Sequence, residues 1–463
     1  MSRVRRRVRS LSLALALFAA RPVARGGEAP APESASAALS RVRAELVSPR
    51  PEDRGHALAE LESRLVRDAA ACVDVLPSLR EVLRTRSVAE RARVARLLLK
   101  VPGEDAADAW WSTLDPARDV DERVFLAAID AVADRANDPA FARRLLERVR
   151  DPRLDPLRRA LVVEAMGGLD GPAAPLVLHT ARAGADWVEE SCRALALGRR
   201  GRADDVGPLI ELLGSTETPP RIHAWESLVR VTRQNLPPAK EPWAAWWDAQ
   251  HGRLPSSAAP AGADLAVPGD VYAAPTLAHV PTYYGVAVRG RGSTCGVAFC
   301  LDVSASMTEH GIEPARKHLL TTLRELTTRT SFDVLAFNEN VMPFAGRLVR
   351  AHPVMQARAI AWIEAIVPRS FTNIYDTVET AFEYAGLGRR PAPEPQHLDL
   401  VFLLSDGAPN RGRYHAPEQV VAGIAALSER RVPIHTIGAG ESVLPLLRAI
   451  SDATGGTFQR TDD

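Results

Sequence analysis

The chain has 463 residues, about three times the ~150 expected for one domain, so it holds at least two globular units. Its 25% charged and 46% hydrophobic residues are those of folded protein and exclude wholesale disorder. A net charge of +1 gives no polybasic signature for nucleic acid, no run approaches the ~18 apolar residues of a bilayer span, and none of the lysines (Lys100, Lys240, Lys317) stands in a phosphate-binding Gly-x-x-x-x-Gly-Lys-Ser/Thr loop.

The N-terminus reads as a processing signal. Arg3, Arg5, Arg6, Arg7 and Arg9 precede a ten-residue apolar core, Leu11 to Ala20, and small residues follow at Ala24 and Gly26. This order predicts a signal peptide over residues 1–27 and an extracytoplasmic protein, whether periplasmic, cell-surface or secreted. Cleavage after Ala24 removes six arginines and takes the charge from +1 to −5. The excess of arginine over lysine and the abundance of alanine are associated with GC-rich bacterial genomes. Four cysteines, Cys72, Cys192, Cys295 and Cys300, are too sparse for a disulfide scaffold. Cys192 and Cys300 sit in apolar patterns as small buried hydrophobes. Cys295 and Cys300 lie on opposite faces of one strand.

Residues 28–35 form a short linker, and residues 36–252 read as an array of helix pairs. Val88–Val101 and Arg123–Ala133 have helical periodicity with few breakers. Pro175, Pro208 and Pro242 open successive second helices at spacings of 33 and 34 residues. Ala160/Val163, Cys192/Leu195 and Trp225/Leu228 hold matching places in the first helices. Repeats of this period form helical solenoids, in which each pair buries its apolar face against its neighbours. The array resembles HEAT-like repeats, with a unit shorter than their usual ~40–47 residues. Trp243 and Trp247 share a helix face with Trp246 beside them, which suits large rings closing the end of the array. Residues 253–280 are a Pro/Ala/Gly-rich linker with little to bury.

From residue 281 to 463 strands and helices alternate. Strands are predicted at Val297–Leu301, Phe332–Phe337, Val341–Phe344, Leu398–Leu404 and Val432–Ile437. Helices are predicted at Ile312–Leu326, Val354–Val367, Ile374–Tyr384, Gln419–Glu429 and Leu444–Ala453. This is a doubly wound, Rossmann-like α/β pattern with a largely parallel sheet. Such folds place their sites beyond the carboxyl ends of strands. There the sequence puts Asp302, Ser304 and Ser306 after the first strand, Thr372 before a helix, and Asp406 after the strong middle strand. Oxygen-only donors with two carboxylates select a hard cation, Mg²⁺ with Mn²⁺ as a substitute.

These residues, with "TNIYD" (Thr372–Asp376), "LLSDG" (Leu403–Gly407) and "TIGAG" (Thr436–Gly440), resemble the von Willebrand factor type A domain and its metal-ion-dependent adhesion site. The resemblance implies that Asp302, Ser304, Ser306, Thr372 and Asp406 hold the metal. It implies further that an acidic side chain of a protein partner completes the coordination. Two departures bear on ligand selectivity: Ala305 replaces a common glycine and could crowd the loop, and Ser370-Phe371 replace the glycines before the threonine.

His435 reads as a sheet histidine, and His310 and His415 flank the site loops without a motif. No Gly-x-Ser-x-Gly, His-Glu-x-x-His or cysteine–histidine arrangement is present. The expectation is an exported, non-enzymatic binding protein with the repeats as a second interaction surface and no nucleic acid partner. The alternatives are an accessory subunit of a metal- or ATPase-dependent machine, or a structural envelope protein whose metal only stabilises the fold.

Overall fold

The computed structural model describes residues 34–250 and 280–461, apart from positions 136, 170–172, 291, 308–311, 370, 430, 439–440 and 442. The predicted signal peptide, most of both linkers, His310 and the Ala439-Gly440 end of the "TIGAG" segment lie outside the described residues.

The N-terminal region is helical, because its apolar residues recur at helical spacing and its helix starts are signalled. Asp138, Asp155 and Asp186 each accept a backbone N–H in the first turn of the helices Pro139–Arg150, Pro156–Ala165 and Trp187–Arg200. Ser87 and Glu90 form a reciprocal capping box on Val88–Leu98. The prolines of the repeat pattern fall in the first turns of Ala173–Leu178, Val206–Leu212 and Lys240–Gln250, where a missing N–H is tolerated. One continuous apolar core runs from Val42 to Trp243. Trp243 is fully buried at its end, donates Nε1–H to Pro237 O at 2.9 Å, and meets Trp246 edge-on at 6.0 Å.

The C-terminal region is built on one sheet. Its strands are β3 (Cys295–Asp302), β4 (Thr330–Phe337), β5 (Val341–Pro343), β6 (Val349–Arg350), β7 (Leu400–Ser405), β8 (Ile434–Gly438) and β9 (Phe458–Arg460), preceded by a small hairpin of β1 (Thr282–Tyr283) and β2 (Val286–Ala287). The order is β5-β4-β3-β7-β8-β9, with β6 also on β4. β3, β4, β7, β8 and β9 pair in parallel, while β5 and β6 are antiparallel to β4. β3 and β7 are buried along their whole length, as apolar runs covered on both faces require. Val297, Phe299 and Leu301 pack into one layer. Ala298 and Cys300 pack into the other. Cys295 joins the first layer, so the two strand cysteines do face opposite sides.

The predicted elements of the sheet region stand, with ends shifted by at most three residues. β1, β2, β6 and β9 lack the apolar run that signals a strand, and the sequence does not reveal them. β4 lies on one side of β3 and β7 on the other. The chain therefore reverses its winding between β3 and β7, and their carboxyl ends flank that switch point.

The two regions dock. Ala160, Val188 and Cys192 of the helical array form a buried cluster with Val354 at the start of the Pro353–Glu364 helix. Polar contacts also join the regions: His352 Nε2 lies 2.5 Å from Glu164 Oε2, Arg358 pairs with Glu122, and Thr328 Oγ1 donates to Glu226 at 3.2 Å.

Candidate metal centre

β3 ends in Asp302, whose buried carboxylate accepts the Ser304 N–H at Oδ1 at 2.8 Å and the Ser405 hydroxyl at Oδ2. The loop then turns so that Ser304 Oγ lies 3.0 Å from Ser306 Oγ. Ser306 Oγ donates to Asp406 Oδ1 at 2.7 Å, tying the β3 loop to the residue that follows β7. Gly407 shows how Thr372 joins them: a Cβ there would lie 3.1 Å from Thr372 Oγ1 and 3.4 Å from Ser306 Oγ. A Cβ there would push both hydroxyls back by a few tenths of an ångström, so the bare Cα leaves room for the two side chains to face the same point.

The Thr372 loop is clamped on the loop after β7. Thr372 N–H donates to Asn410 Oδ1 at 2.9 Å, and Thr372 O accepts from Asn410 N–H at 3.0 Å. Asn373 caps the Ile374–Tyr384 helix by accepting from Asp376 N–H at 3.2 Å. All five residues singled out in the sequence thus meet at the carboxyl ends of β3 and β7. Asp302, Ser304, Thr372 and Asp406 are buried and Ser306 is half-buried.

The electrostatics fit a cation. Burial pushes the Asp302 carboxyl up to about 7; the Ser405 and Ser304 hydrogen bonds oppose this and the nearby Asp406 charge adds to it. Burial beside a second carboxylate therefore disfavours the charged form of Asp302. A divalent ion reverses that balance, and five oxygen donors are the chemistry that hard cations take.

The comparisons bear on this geometry. Residues 296–460 match the family model described as von Willebrand factor type A domain. The C-terminal unit is a von Willebrand factor type A domain. The chain is 27% identical over 148 residues to inter-alpha-trypsin inhibitor heavy chain H3 of Rattus norvegicus, covering 32% of this chain and 17% of that one. It is 28% identical over 169 residues to heavy chain H2 of Mus musculus, covering 35% and 17%. The chain thus spans less than a fifth of the length of these curated relatives. Among solved structures, von Willebrand factor type A from Catenulispora acidiphila matches 36% of this chain and 39% of its own at 20% identity and a TM-score of 0.31.

Within the type A domain, Ala305 is exposed, so its methyl group does not crowd the loop. The other departure is a real constraint: Phe371 sits at φ +76°, a conformation natural for glycine and strained for phenylalanine. His435 is a sheet histidine whose Nδ1 lies 2.9 Å from Thr457 Oγ1. His415 is exposed. Sequence reasoning missed the positioning roles of Ser405 and Asn410. Ser405 lies in the "LLSDG" segment beside a chosen ligand, but nothing in one sequence marks its hydroxyl for Asp302.

A second cluster, Glu164, Cys192 and His352, brings donor atoms within 4.8 Å of one another at the docking surface. His352 Nδ1 accepts the Val354 N–H at 3.3 Å, so its proton resides on Nε2 and points to Glu164. A ligating imidazole needs the opposite arrangement, with the second nitrogen donating. The cluster is therefore a hydrogen-bonded latch between the regions.

Proposed function

We propose that this is an exported, non-enzymatic binding protein whose type A domain holds Mg²⁺ through Asp302, Ser304, Ser306, Thr372 and Asp406. Mn²⁺ is an acceptable substitute. The bound cation supplies an electrophilic position for an acidic side chain of a protein partner. The carrying observation is the convergence of five oxygen donors, two of them carboxylates, at the switch point of the sheet. A type A domain supports a protein-interaction role. The chain's own residues perform the positioning. Ser405 and the Ser304 N–H orient Asp302, Asn410 anchors Thr372, and Gly407 lets the loops approach. The helical array, read as HEAT-like repeats, offers a second protein-interaction surface. Export rests on the Arg3–Gly26 pattern, and N-terminal sequencing of the mature protein from its host tests it.

Titration calorimetry and thermal shift on the full chain, wild type beside Asp302→Ala, test the metal centre. Stabilisation by Mg²⁺ or Mn²⁺ with a model carboxylate present, lost in the variant, is expected. No response in wild type under those conditions removes the reading and transfers function to the helical array.

A further inference from the structure

Two exposed arginines flank the five oxygen donors, and neither pairs with a carboxylate among the described residues. Arg369 donates its N–H to Val303 O at 2.9 Å and forms a parallel bridge with Ser304. Arg411 donates its N–H to Thr372 O at 3.2 Å and one guanidinium N–H to Asn410 O at 3.1 Å. Each is thus fixed by its backbone to a metal-site loop. Other arginines nearby are matched by two carboxylates: Arg389 lies 2.6 Å from Glu379 Oε2 and 3.5 Å from Asp376 Oδ1, and Arg413 Nη1 lies 3.6 Å from Glu379 Oε1.

Phe371 explains how Arg411 is presented. Its backbone is strained at φ +76°, yet its ring is 38% exposed and belongs to neither apolar layer of the domain. The strain places the ring under the Arg411 guanidinium, which lies 3.7 Å from the ring centroid. A guanidinium lying on an aromatic face keeps its remaining N–H groups at its edge, where a carboxylate is taken in bidentate fashion. A divalent ion would balance the charges of Asp302 and Asp406. Among the described residues, the rim then carries the positive charges of Arg369 and Arg411, which favours a ligand with more than one negative group.

We propose that the partner segment is diacidic: one carboxylate completes the metal site, and a second, close by in the same segment, is held by Arg411 on its Phe371 platform, with Arg369 adding long-range attraction. This rests on the metal-dependent reading above and names the chemistry of its partner.

The test is a set of short peptides with one Asp, or with a second Asp one to four residues away, titrated by fluorescence anisotropy against the full chain in Mn²⁺. For wild type, the best diacidic peptide is expected to bind about fivefold tighter than the single-Asp peptide, the scale of one well-placed, partly exposed ion pair. Arg411→Gln and Phe371→Gly are each expected to bring that ratio near one while cation-induced thermal stabilisation persists, which shows that the variants fold and bind metal. A wild-type ratio near one, or one that survives Arg411→Gln, overturns the proposal and leaves the metal-site reading standing. Failure of every peptide to bind wild type in a metal-dependent way overturns both.

Discussion

Asp302 is a buried carboxylate held against its own charge. Its folded-state value of about 7 lies above the ordinary carboxylate value because burial disfavours the charge. The native protein therefore holds a proton that the unfolded chain has lost between about pH 4 and pH 7. Without a cation, stability falls as pH rises through that window and levels off above it. Asp333, pushed up to about 6 by burial, acts in the same direction. In chelator, the wild-type melting temperature is expected to be lower at pH 7.5 than at pH 5.5. Asp302→Asn imitates the protonated acid, because its oxygen can accept from Ser304 and its amide can donate to Ser405. We expect it to abolish cation binding, to flatten part of that pH dependence, and to stabilise the chelated protein at pH 7.5 by up to about 4 kcal/mol. A variant less stable than wild type in chelator would show that the Asp302 charge is matched by the protein alone.

At the scale of elements, β3 and β7 hold the site because their ends cannot move independently of a buried sheet. Phe299 of β3 stacks on Phe402 of β7 at 5.5 Å, and Tyr283 meets both edge-on at 5.5 and 5.2 Å. This aromatic trio lies in one apolar layer and fixes the lateral relation of the strands that carry Asp302 and Asp406. Phe402→Ala is expected to cost about 3–5 kcal/mol by urea denaturation, the range for removing a fully buried phenylalanine. A loss under 1 kcal/mol would mean that the layer repacks. These two strands were legible because their apolar runs are long. β6 and β9 were not, being two or three partly exposed residues held only by pairing to a formed neighbour.

Across the whole molecule, docking couples the helical array to the type A domain. The latch of Glu164 and His352 borders the Ala160, Val188, Cys192 and Val354 cluster. His352 also caps the Pro353–Glu364 helix, so one side chain joins helix start and domain contact. Val188→Asp would bury an unpaired carboxylate there, at a cost of several kcal/mol relative to the docked state. Calorimetry of wild type is expected to show one cooperative transition, and of Val188→Asp two. Two transitions already in wild type would mean that the docked surface contributes little to stability.

Some of this was determined by the sequence alone. Helical periodicity and prolines at helix starts specified the helical N-terminal region, long apolar runs specified the central strands, and Asp302, Ser304, Ser306, Thr372 and Asp406 could be named because motif residues at strand ends are local information. The tertiary structure decided the rest. Ser405, Asn410 and Gly407 act through contacts with residues far away in the chain, Phe371 takes its strained conformation only in a closed loop, and Glu164 meets His352 across 188 residues. Such pairings depend on how finished elements pack, and that is written in no local pattern of side chains.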